Sequence, residues 1–81
     1  MLKVWVMVYL LSSGQILMKN VAIDPNDIQA FYKQSPHSYG KSETKFICLI
    51  ALNKEINGRA SYESPTPCKT LEAEFVKLRF K

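Results

Sequence analysis

With 81 residues, the chain is long enough for one small domain and too short for a large enzyme cleft together with the core that would support it. Hydrophobic residues make up 47% of the sequence, which is more than a disordered chain contains. The 11 Lys and Arg against 7 Asp and Glu give a net charge of +4, which favours an anionic partner. Because so small a domain buries only about 60% of its unfolded surface, we expect a homo-oligomer.

The longest apolar run, Val4–Leu11, is rich in valine and aromatic residues and predicts the central β-strand. After Met1-Leu2-Lys3, this run imitates a short signal peptide. Its alternation of β-branched and large residues instead favours a core strand, and it is far shorter than the ~20 residues of a membrane helix. We therefore expect a soluble, cytoplasmic protein with no membrane partner.

A first hairpin is predicted to pair Lys3–Leu11 with Gln15–Ile23. Gly14 can take a positive φ in the turn between them. Lys19 and Asn20 interrupt the apolar second strand, which indicates either a bulge or a strand exposed near its middle.

The segment 24–27, Asp-Pro-Asn-Asp, has the capping residue, the proline and the second carboxylate that are typical of a helix start. Ile28, Phe31 and Tyr32 then fall at positions i, i+3 and i+4, which predicts a helix over 28–34. Ile28, Ala30 and Tyr32 also alternate, so a single turn followed by a short strand is the competing interpretation.

The segment Ser35–Thr44 has no periodicity and many turn-forming residues, so we predict a long exposed loop. The apolar run Lys45–Leu52 predicts a strand buried on both faces. The dipeptide Asn57-Gly58 indicates a hairpin turn, with Arg59–Glu63 as the return strand. Two prolines, at positions 65 and 67, end that strand.

The C-terminal segment carries an apolar stripe at helical spacing. Its members are Cys68, Leu71, Phe75 and Leu78. We predict a helix that is capped by Thr66 and begins at Pro67. Val76, Leu78 and Phe80 alternate with basic residues, however, so the tail could instead leave the helix as a strand.

Together these elements predict a small α+β domain over 1–81, with an antiparallel sheet of four to five strands and one or two short helices. Cys48 and Cys68 do not form a C-x-x-C motif, and one histidine is too few for a zinc site. We therefore expect two reduced cysteines and no metal or cofactor.

The loop contains Tyr39-Gly40-Lys41-Ser42, which includes the Gly-Lys-Ser of a phosphate-binding loop. Ser35 stands where that motif needs its first glycine, and a strand follows instead of a helix, so a nucleoside-triphosphatase is excluded. A loop with basic and aromatic side chains can still bind phosphate and stack on a base. The predicted ligand-binding residues are His37, Tyr39, Lys41, Ser42 and Lys45. A solvated connector without a ligand is the alternative.

We find no catalytic constellation in the sequence. His37 has no cysteine or serine arranged as a nucleophile, and there is no second histidine for a proton relay. We therefore expect a protein that is not an enzyme, and burial of His37 against a hydroxyl or a carboxylate would be needed to revive the enzyme class. Lys77, Arg79 and Lys81 form a basic stripe if the tail is extended, and could then follow a nucleic-acid backbone. A solvated charged face is the alternative.

Several pieces of the chain occur in an order that resembles a known family. They are Leu11–Gly14, Ile23–Ile28, Asn57-Gly58 and Tyr62-Glu63-Ser64. This order resembles the short FlbD/SwrD-type flagellar accessory proteins and, more distantly, the β-rich LytTR DNA-binding domain. The chain departs from them by its loop at Ser35–Thr44 and by the prolines at 65 and 67. The resemblance implies a small non-catalytic regulator and assigns no site residue.

Our leading hypothesis is a non-enzymatic binding protein that holds a nucleotide or another phosphate-bearing signalling molecule. Such a protein could act by sequestration, as a virus-encoded sponge would. One alternative is a regulator that binds a host regulatory protein through a strand edge or the C-terminal helix. Another is a small DNA-binding module that uses the basic tail.

Overall fold

The computed structural model describes residues 1–10, 12–39, 43–56 and 58–79, with only the backbone of residues 9 and 10. This part of the chain forms five strands, one short 3₁₀ helix and one α-helix. The strands are β1 (Leu2–Leu10), β2 (Gln15–Ile23), β3 (Ile28–His37), β4 (Phe46–Ile56) and β5 (Arg59–Ser64), the 3₁₀ helix is Pro25–Asp27, and the α-helix α1 is Cys68–Arg79. The α+β class is confirmed, although strands predominate.

The strands divide into two antiparallel sheets, the hairpin β1–β2 and a three-stranded sheet with the order β3-β4-β5. The predicted strand number is thus confirmed, but the prediction of one sheet is wrong. Side chains of β5 bridge to β1 in place of a backbone ladder. Ser64 Oγ donates to the carbonyl of Trp5 at 2.6 Å, and Arg59 Nη1 donates to the carbonyl of Met7 at 3.4 Å. These donors satisfy strand-edge carbonyls that would otherwise need a strand partner.

The first hairpin agrees with its prediction. Its register runs without a shift from the pair Leu2 and Ile23 to the end of the strands. Gly14 has a φ of 69°, as the turn requires. Lys19 and Asn20 are both exposed and paired in register, so the second strand is exposed near its middle and has no bulge there.

The helix predicted over 28–34 is wrong, and the competing interpretation is confirmed. Only one turn forms, in which Asp24 Oδ1 accepts a hydrogen bond from the Asn26 N–H at 2.9 Å. The chain then enters β3, which pairs with β4. The helical spacing of Ile28, Phe31 and Tyr32 coexists with strand alternation, and pairing with the apolar β4 gives this backbone the hydrogen bonds of a ladder. Tertiary pairing therefore overrides the local helix signal.

The inner face of the three-stranded sheet is the centre of the core, since both the hairpin and α1 pack on it. Two rows of paired side chains cross β3, β4 and β5 on this face, Phe31–Ile50–Tyr62 and Lys33–Cys48–Ser64. The hairpin contributes Leu2, Val4 and Val6, and the helix contributes Leu71. Burial of each large aliphatic side chain contributes about 1.5–3 kcal/mol. The outer face, with the rows Ala30–Ala51–Ser61 and Tyr32–Leu49–Glu63, is partly exposed. The prediction that β4 is buried on both faces is therefore wrong, because only its inner-facing residues are buried.

Helix α1 starts at Cys68, one residue later than predicted, and the Pro67 carbonyl accepts hydrogen bonds from its first turn. The predicted apolar stripe is confirmed. Leu71 is buried, and Phe75 packs edge-on against Phe31 with ring centroids 5.7 Å apart. The helix continues to residue 79, so the alternative of a strand at 76–79 is wrong. The last two residues of that alternative, 80 and 81, lie outside the described residues.

The prediction of two reduced cysteines is wrong, because Cys48 and Cys68 form a disulfide with their Cα atoms 5.2 Å apart. Both cysteines point into the same core: Cys48 lies in a buried row of β4, and Cys68 begins the apolar stripe of α1. The bond ties the start of the helix to the middle strand. The absence of a C-x-x-C motif carried no information about a pair that tertiary packing brings together.

We predict that reduction of this disulfide lowers the free energy of unfolding by about 3 kcal/mol, because a loop with a sequence separation of 20 no longer restricts the unfolded chain. Guanidinium denaturation with and without a phosphine reductant measures the change. The double variant Cys48→Ser/Cys68→Ser is the control, since reductant cannot affect it. An unfolding midpoint of the unmodified protein that does not respond to reductant would contradict the prediction.

Candidate functional site

The predicted loop is shorter than expected, because β3 continues through Ser35 and Pro36 to His37. Of the predicted ligand-binding residues, Lys41 and Ser42 lie outside the described residues. His37, Tyr39 and Lys45 are described, and the structure brings the first two together. Lys45 is exposed just before β4.

His37 and Tyr39 converge on the carboxylate of Glu63, a residue of the opposite edge strand that the sequence did not indicate. His37 Nε2 lies 2.6 Å from Glu63 Oε2, and the Tyr39 hydroxyl donates to Glu63 Oε1 at 2.7 Å. The other ring nitrogen of His37, Nδ1, lies 2.9 Å from the carbonyl of Ser35. We refer to His37, Tyr39 and Glu63 as the carboxylate cluster.

The buried ring of Phe46 packs against the aromatic rings of this cluster. Its ring is almost fully buried, and its centroid lies 6.2 Å from that of His37 and 5.7 Å from that of Tyr39. The His37 and Tyr39 rings themselves meet edge-on at 5.4 Å. The contacts hold the end of β3 and the start of the following loop against β4 and β5.

The hydrogen bonds of the cluster favour the protonated imidazole. The pKa of His37 is raised above its ordinary value, first by the hydrogen bond to the Ser35 carbonyl and then by the bond to Glu63. Partial burial and the charge of Lys45 oppose this rise in the pKa. Both ring nitrogens face acceptors, so both must carry a proton for the two bonds to form together. The pKa of the Tyr39 hydroxyl is also raised, chiefly by its hydrogen bond to Glu63.

This arrangement bears on two expectations. The contact of a half-buried His37 with a carboxylate meets the condition that an enzyme would need. When both ring nitrogens donate, the ring has no lone pair with which to act as a base, and the absence of enzyme activity stays a prediction. His37 Nε2 and the Tyr39 hydroxyl are engaged by Glu63, and His37 Nδ1 faces the Ser35 carbonyl, so a phosphate would have to displace these acceptors. The described part of the predicted site is therefore organised around an acidic group, and binding of a phosphate by the loop stays a prediction.

The basic residues of the tail do not form an extended stripe. Lys77 and Arg79 lie in α1, two positions apart, where side chains do not share a face. Lys77 Nζ lies 3.8 Å from Glu74 Oε1, and the Arg79 guanidinium lies over the Phe75 ring. The third predicted residue, Lys81, lies outside the described residues.

A groove between the hairpin and β5 offers a more suitable environment for an anion. It has a volume of about 230 Å³ and is lined by Val8, Lys19, Val21, Arg59 and Tyr62. We call it the hairpin groove. Its lining combines the apolar Val8 and Val21 with two cations, Lys19 and Arg59. None of the ion pairs that the structure describes joins an acidic side chain to either cation.

The register of the hairpin explains why Lys19 lines this groove. Lys19 pairs with Val6, so its side chain shares a face with Val6, Val8 and Val21, which point toward the core. The sequence signal for this groove was a lysine in an apolar strand, at a position on the same face as the core valines. We interpreted it only as a bulge or an exposed stretch.

Arg59 is held in place by several contacts. Its Nε donates to the carbonyl of Ser61 at 3.3 Å, and its Nη1 donates to Met7 of the hairpin. The guanidinium carbon lies 5.3 Å from the centroid of the Tyr62 ring, a distance typical of a cation–π contact. The Tyr62 hydroxyl is in turn bonded to the Ile56 carbonyl. The cation is therefore preorganised before any ligand binds.

Comparisons with protein-family models, curated proteins and solved structures find no match to this chain. The resemblance to FlbD/SwrD-type proteins therefore stays a prediction. In the described ranges, no helix is long and apolar enough to cross a membrane. Across the same ranges, no group of three or more His, Cys, Asp or Glu residues is placed to hold a metal ion.

We predict that the carboxylate cluster makes stability depend on pH. The folded pKa of His37 is raised above the unfolded value of about 6.5, so its contribution is fully present below about pH 6.5 and is lost as the pH rises through the folded pKa. The unmodified protein should therefore lose stability relative to His37→Gln across this window. Urea denaturation at a series of pH values measures the difference.

The single histidine of the chain also allows a direct test by NMR titration. Glu63→Gln should lower the pKa of His37 toward 6.5, because the ring loses a charged acceptor. Glu72→Gln removes the same charge from an exposed position of α1 and should leave that pKa unchanged. A pKa of His37 at or below 6.5 in the unmodified protein would sink the prediction.

Proposed function

We propose that this protein is a small non-enzymatic binding protein that holds an anionic ligand in the hairpin groove. The observation that carries the proposal is the presence of two cations, Lys19 and Arg59, among the residues that line one groove. A phosphate or carboxylate would accept hydrogen bonds from both cations. The net charge of +4 would attract such a ligand from a distance.

The size of the groove limits the class of ligand. Its volume of about 230 Å³ lies below the ~300–1,000 Å³ of pockets that enclose drug-sized ligands. A single phosphate with part of its attached group fits this space better than a whole nucleotide does. Val8 and Val21 suit an apolar or ring portion next to the anion. A nucleotide or another phosphate-bearing signalling molecule would therefore leave part of itself outside, and sequestration of such a molecule remains the proposed role.

We predict that Lys19→Gln and Arg59→Gln each weaken binding of a nucleoside monophosphate by about tenfold or more, because each removes a charge-assisted hydrogen bond. Adenosine monophosphate and inorganic phosphate serve as probes in NMR titrations at low salt. Lys3→Gln is the matched control. It removes the same charge from β1, but Lys3 is exposed on the opposite face of the hairpin.

Equal weakening by Lys3→Gln would reduce the effect to net charge and contradict the proposal. The same titrations separate the hairpin groove from the predicted loop site. Tyr39→Ala and Lys41→Ala should leave binding unchanged if the groove is the site. If only these two variants weaken binding of the probe, the binding site lies in the predicted loop and not in the hairpin groove. A steep dependence on salt with duplex DNA as the probe would favour the nucleic-acid alternative.

A partner-binding regulator is the second candidate. Large apolar side chains are exposed on the hairpin and on the outer sheet face, with Trp5 53% and Tyr32 52% exposed. Among the described strands, β2 and β3 each have an edge without a strand partner. Such edges can pair with another chain. Either a second copy of this protein or a host regulatory protein would satisfy them.

We predict that the protein forms a homo-oligomer, in keeping with its small core and these exposed side chains. Size-exclusion chromatography with light scattering should give a multiple of 9.3 kDa. Trp5→Glu should shift the mass toward the monomer, whereas Val76→Glu, at a similarly exposed site on α1, should not. A mass of one chain at all protein concentrations would contradict the prediction of a homo-oligomer.

The disulfide supports a different proposal for the compartment from the one that the expected thiols suggested. Disulfides persist in oxidising compartments and are rare in the cytosol. The Cys48–Cys68 bond therefore favours an oxidising location over the cytoplasmic one that the reduced cysteines suggested.

A further inference from the structure

A second cavity lies beside the disulfide and shares no residue with the hairpin groove. It has a volume of about 190 Å³ and is lined by Lys33, Ile47, Pro67, Cys68 and Lys69. Its lining is mostly apolar, with two lysines and no acidic residue among the side chains that form it. We call it the disulfide cavity.

The two halves of the disulfide differ in accessibility. Cys48 has 0% of its surface exposed, because it lies in the inner row of β4. Cys68 is only half-buried and lines the disulfide cavity. A small molecule in the cavity therefore meets the Cys68 side of the bond. Attack at the Cys48 sulfur would require the core to open.

The charges around the cavity favour an anionic visitor. Lys33 and Lys69 are both exposed, and no ion pair described in the structure joins either of them to a carboxylate. Cys68 is also the first residue of the 12-residue helix α1, whose N-terminus carries a partial positive charge. These positive groups attract an incoming thiolate and stabilise the Cys68 thiolate that the second exchange releases.

We propose that the Cys48–Cys68 disulfide is a thiol–disulfide exchange site, entered at the Cys68 sulfur through the disulfide cavity by small thiols that carry carboxylates. In the exchange, the thiolate of the visitor attacks Cys68 Sγ. A bond forms between these two sulfurs as the Sγ–Sγ bond of the protein breaks. The electron pair leaves on Cys48 Sγ, which takes a proton from water that enters once the broken bond lets the start of α1 move away from β4.

A second molecule of the same thiol completes the reduction. Its thiolate attacks the visitor's sulfur in the mixed disulfide, releases Cys68 as a thiolate and forms the oxidised dimer of the small thiol. Two thiols are thus oxidised and one protein disulfide is reduced. The reaction frees the start of α1 from β4, and the reverse sequence restores the link. This proposal stands on the cavity alone and does not depend on ligand binding in the hairpin groove.

The test follows reduction of the full oxidised chain by glutathione, which carries carboxylates, and by uncharged mercaptoethanol. Acid quenching and peptide mapping identify the cysteine that carries the mixed disulfide. We expect the glutathione adduct on Cys68 and a rate that rises in proportion to thiol concentration. The double variant Lys33→Gln/Lys69→Gln should slow glutathione by about threefold to tenfold at low salt and slow mercaptoethanol by less than about twofold.

Lys54→Gln/Lys77→Gln is the matched control, since it removes two charges from residues that do not line the cavity. It should leave both rates within about twofold of the unmodified protein. Three results would overturn the proposal. They are an adduct on Cys48, equal slowing of both thiols by the cavity variant, and a rate independent of thiol concentration, which would mean that the bond is reached only after unfolding.

Discussion

The buried hydroxyl of Ser64 holds the two sheets together. It donates to the Trp5 carbonyl at 2.6 Å and accepts a hydrogen bond from the Thr66 N–H at 3.1 Å. Ser64 has no exposed surface, so an unpaired hydroxyl or carbonyl at this point would cost about 1–3 kcal/mol. One side chain thereby fixes the position of β1 relative to β5 and the path of the chain toward α1. The two sheets can pack without a backbone ladder because of this bond and the one from Arg59 to Met7.

The same seam creates the hairpin groove. A continuous ladder would have brought β1 and β5 to the usual ~4.8 Å strand spacing and left no space between them. Side chains bridge the strands instead, and the groove between them is lined by Val8, Lys19 and Val21 of the hairpin and by Arg59 and Tyr62 of β5. Arg59 serves both purposes, since it donates to the hairpin and lines the groove. Replacing Arg59 therefore perturbs the contact between the sheets as well as the charge of the groove. Lys19 lines the groove but takes no part in the two hydrogen bonds of the seam.

Local sequence patterns were sufficient to predict those strands and helices whose periodicity and flanking turn or cap residues indicate the same element. The first hairpin, β5 and the stripe of α1 each combine a period with a turn or cap, and each forms close to where it was predicted. β4 also forms from its apolar run, but it continues to Ile56, through residues that were predicted to lie in the turn. In β3 a helical spacing and a strand alternation of apolar residues compete. The strand forms because it pairs with β4, which begins almost twenty residues later. The disulfide and the seam join residues separated by 20 and 59 positions. No local pattern encodes such pairs, so neither could be predicted.

In the candidate sites, too, local features were visible in the sequence, whereas contacts between distant residues were not. His37 and Tyr39 are close in sequence and were predicted as ligand-binding residues of one loop. Glu63, 26 residues from His37, contacts both side chains and changes the chemistry of the cluster. Lys19 was visible as a polar interruption of an apolar strand. Its meaning required the register that turns it inward and the position of Arg59 on another sheet.

The distribution of carboxylates links these sites to the positive charge of the chain. Of its 7 acidic residues, four are engaged elsewhere, Asp24 in a cap, Asp27 with Lys54, Glu63 in the carboxylate cluster and Glu74 with Lys77. The cations that line the two cavities are left without such partners in the described part of the protein. A surface cation pair without a carboxylate keeps its hydrogen-bond donors available, at the expense of mutual repulsion when no anion is bound. An anion would relieve that repulsion in each cavity, so the placement of the negative residues, more than the number of positive ones, makes both cavities suitable for anionic molecules.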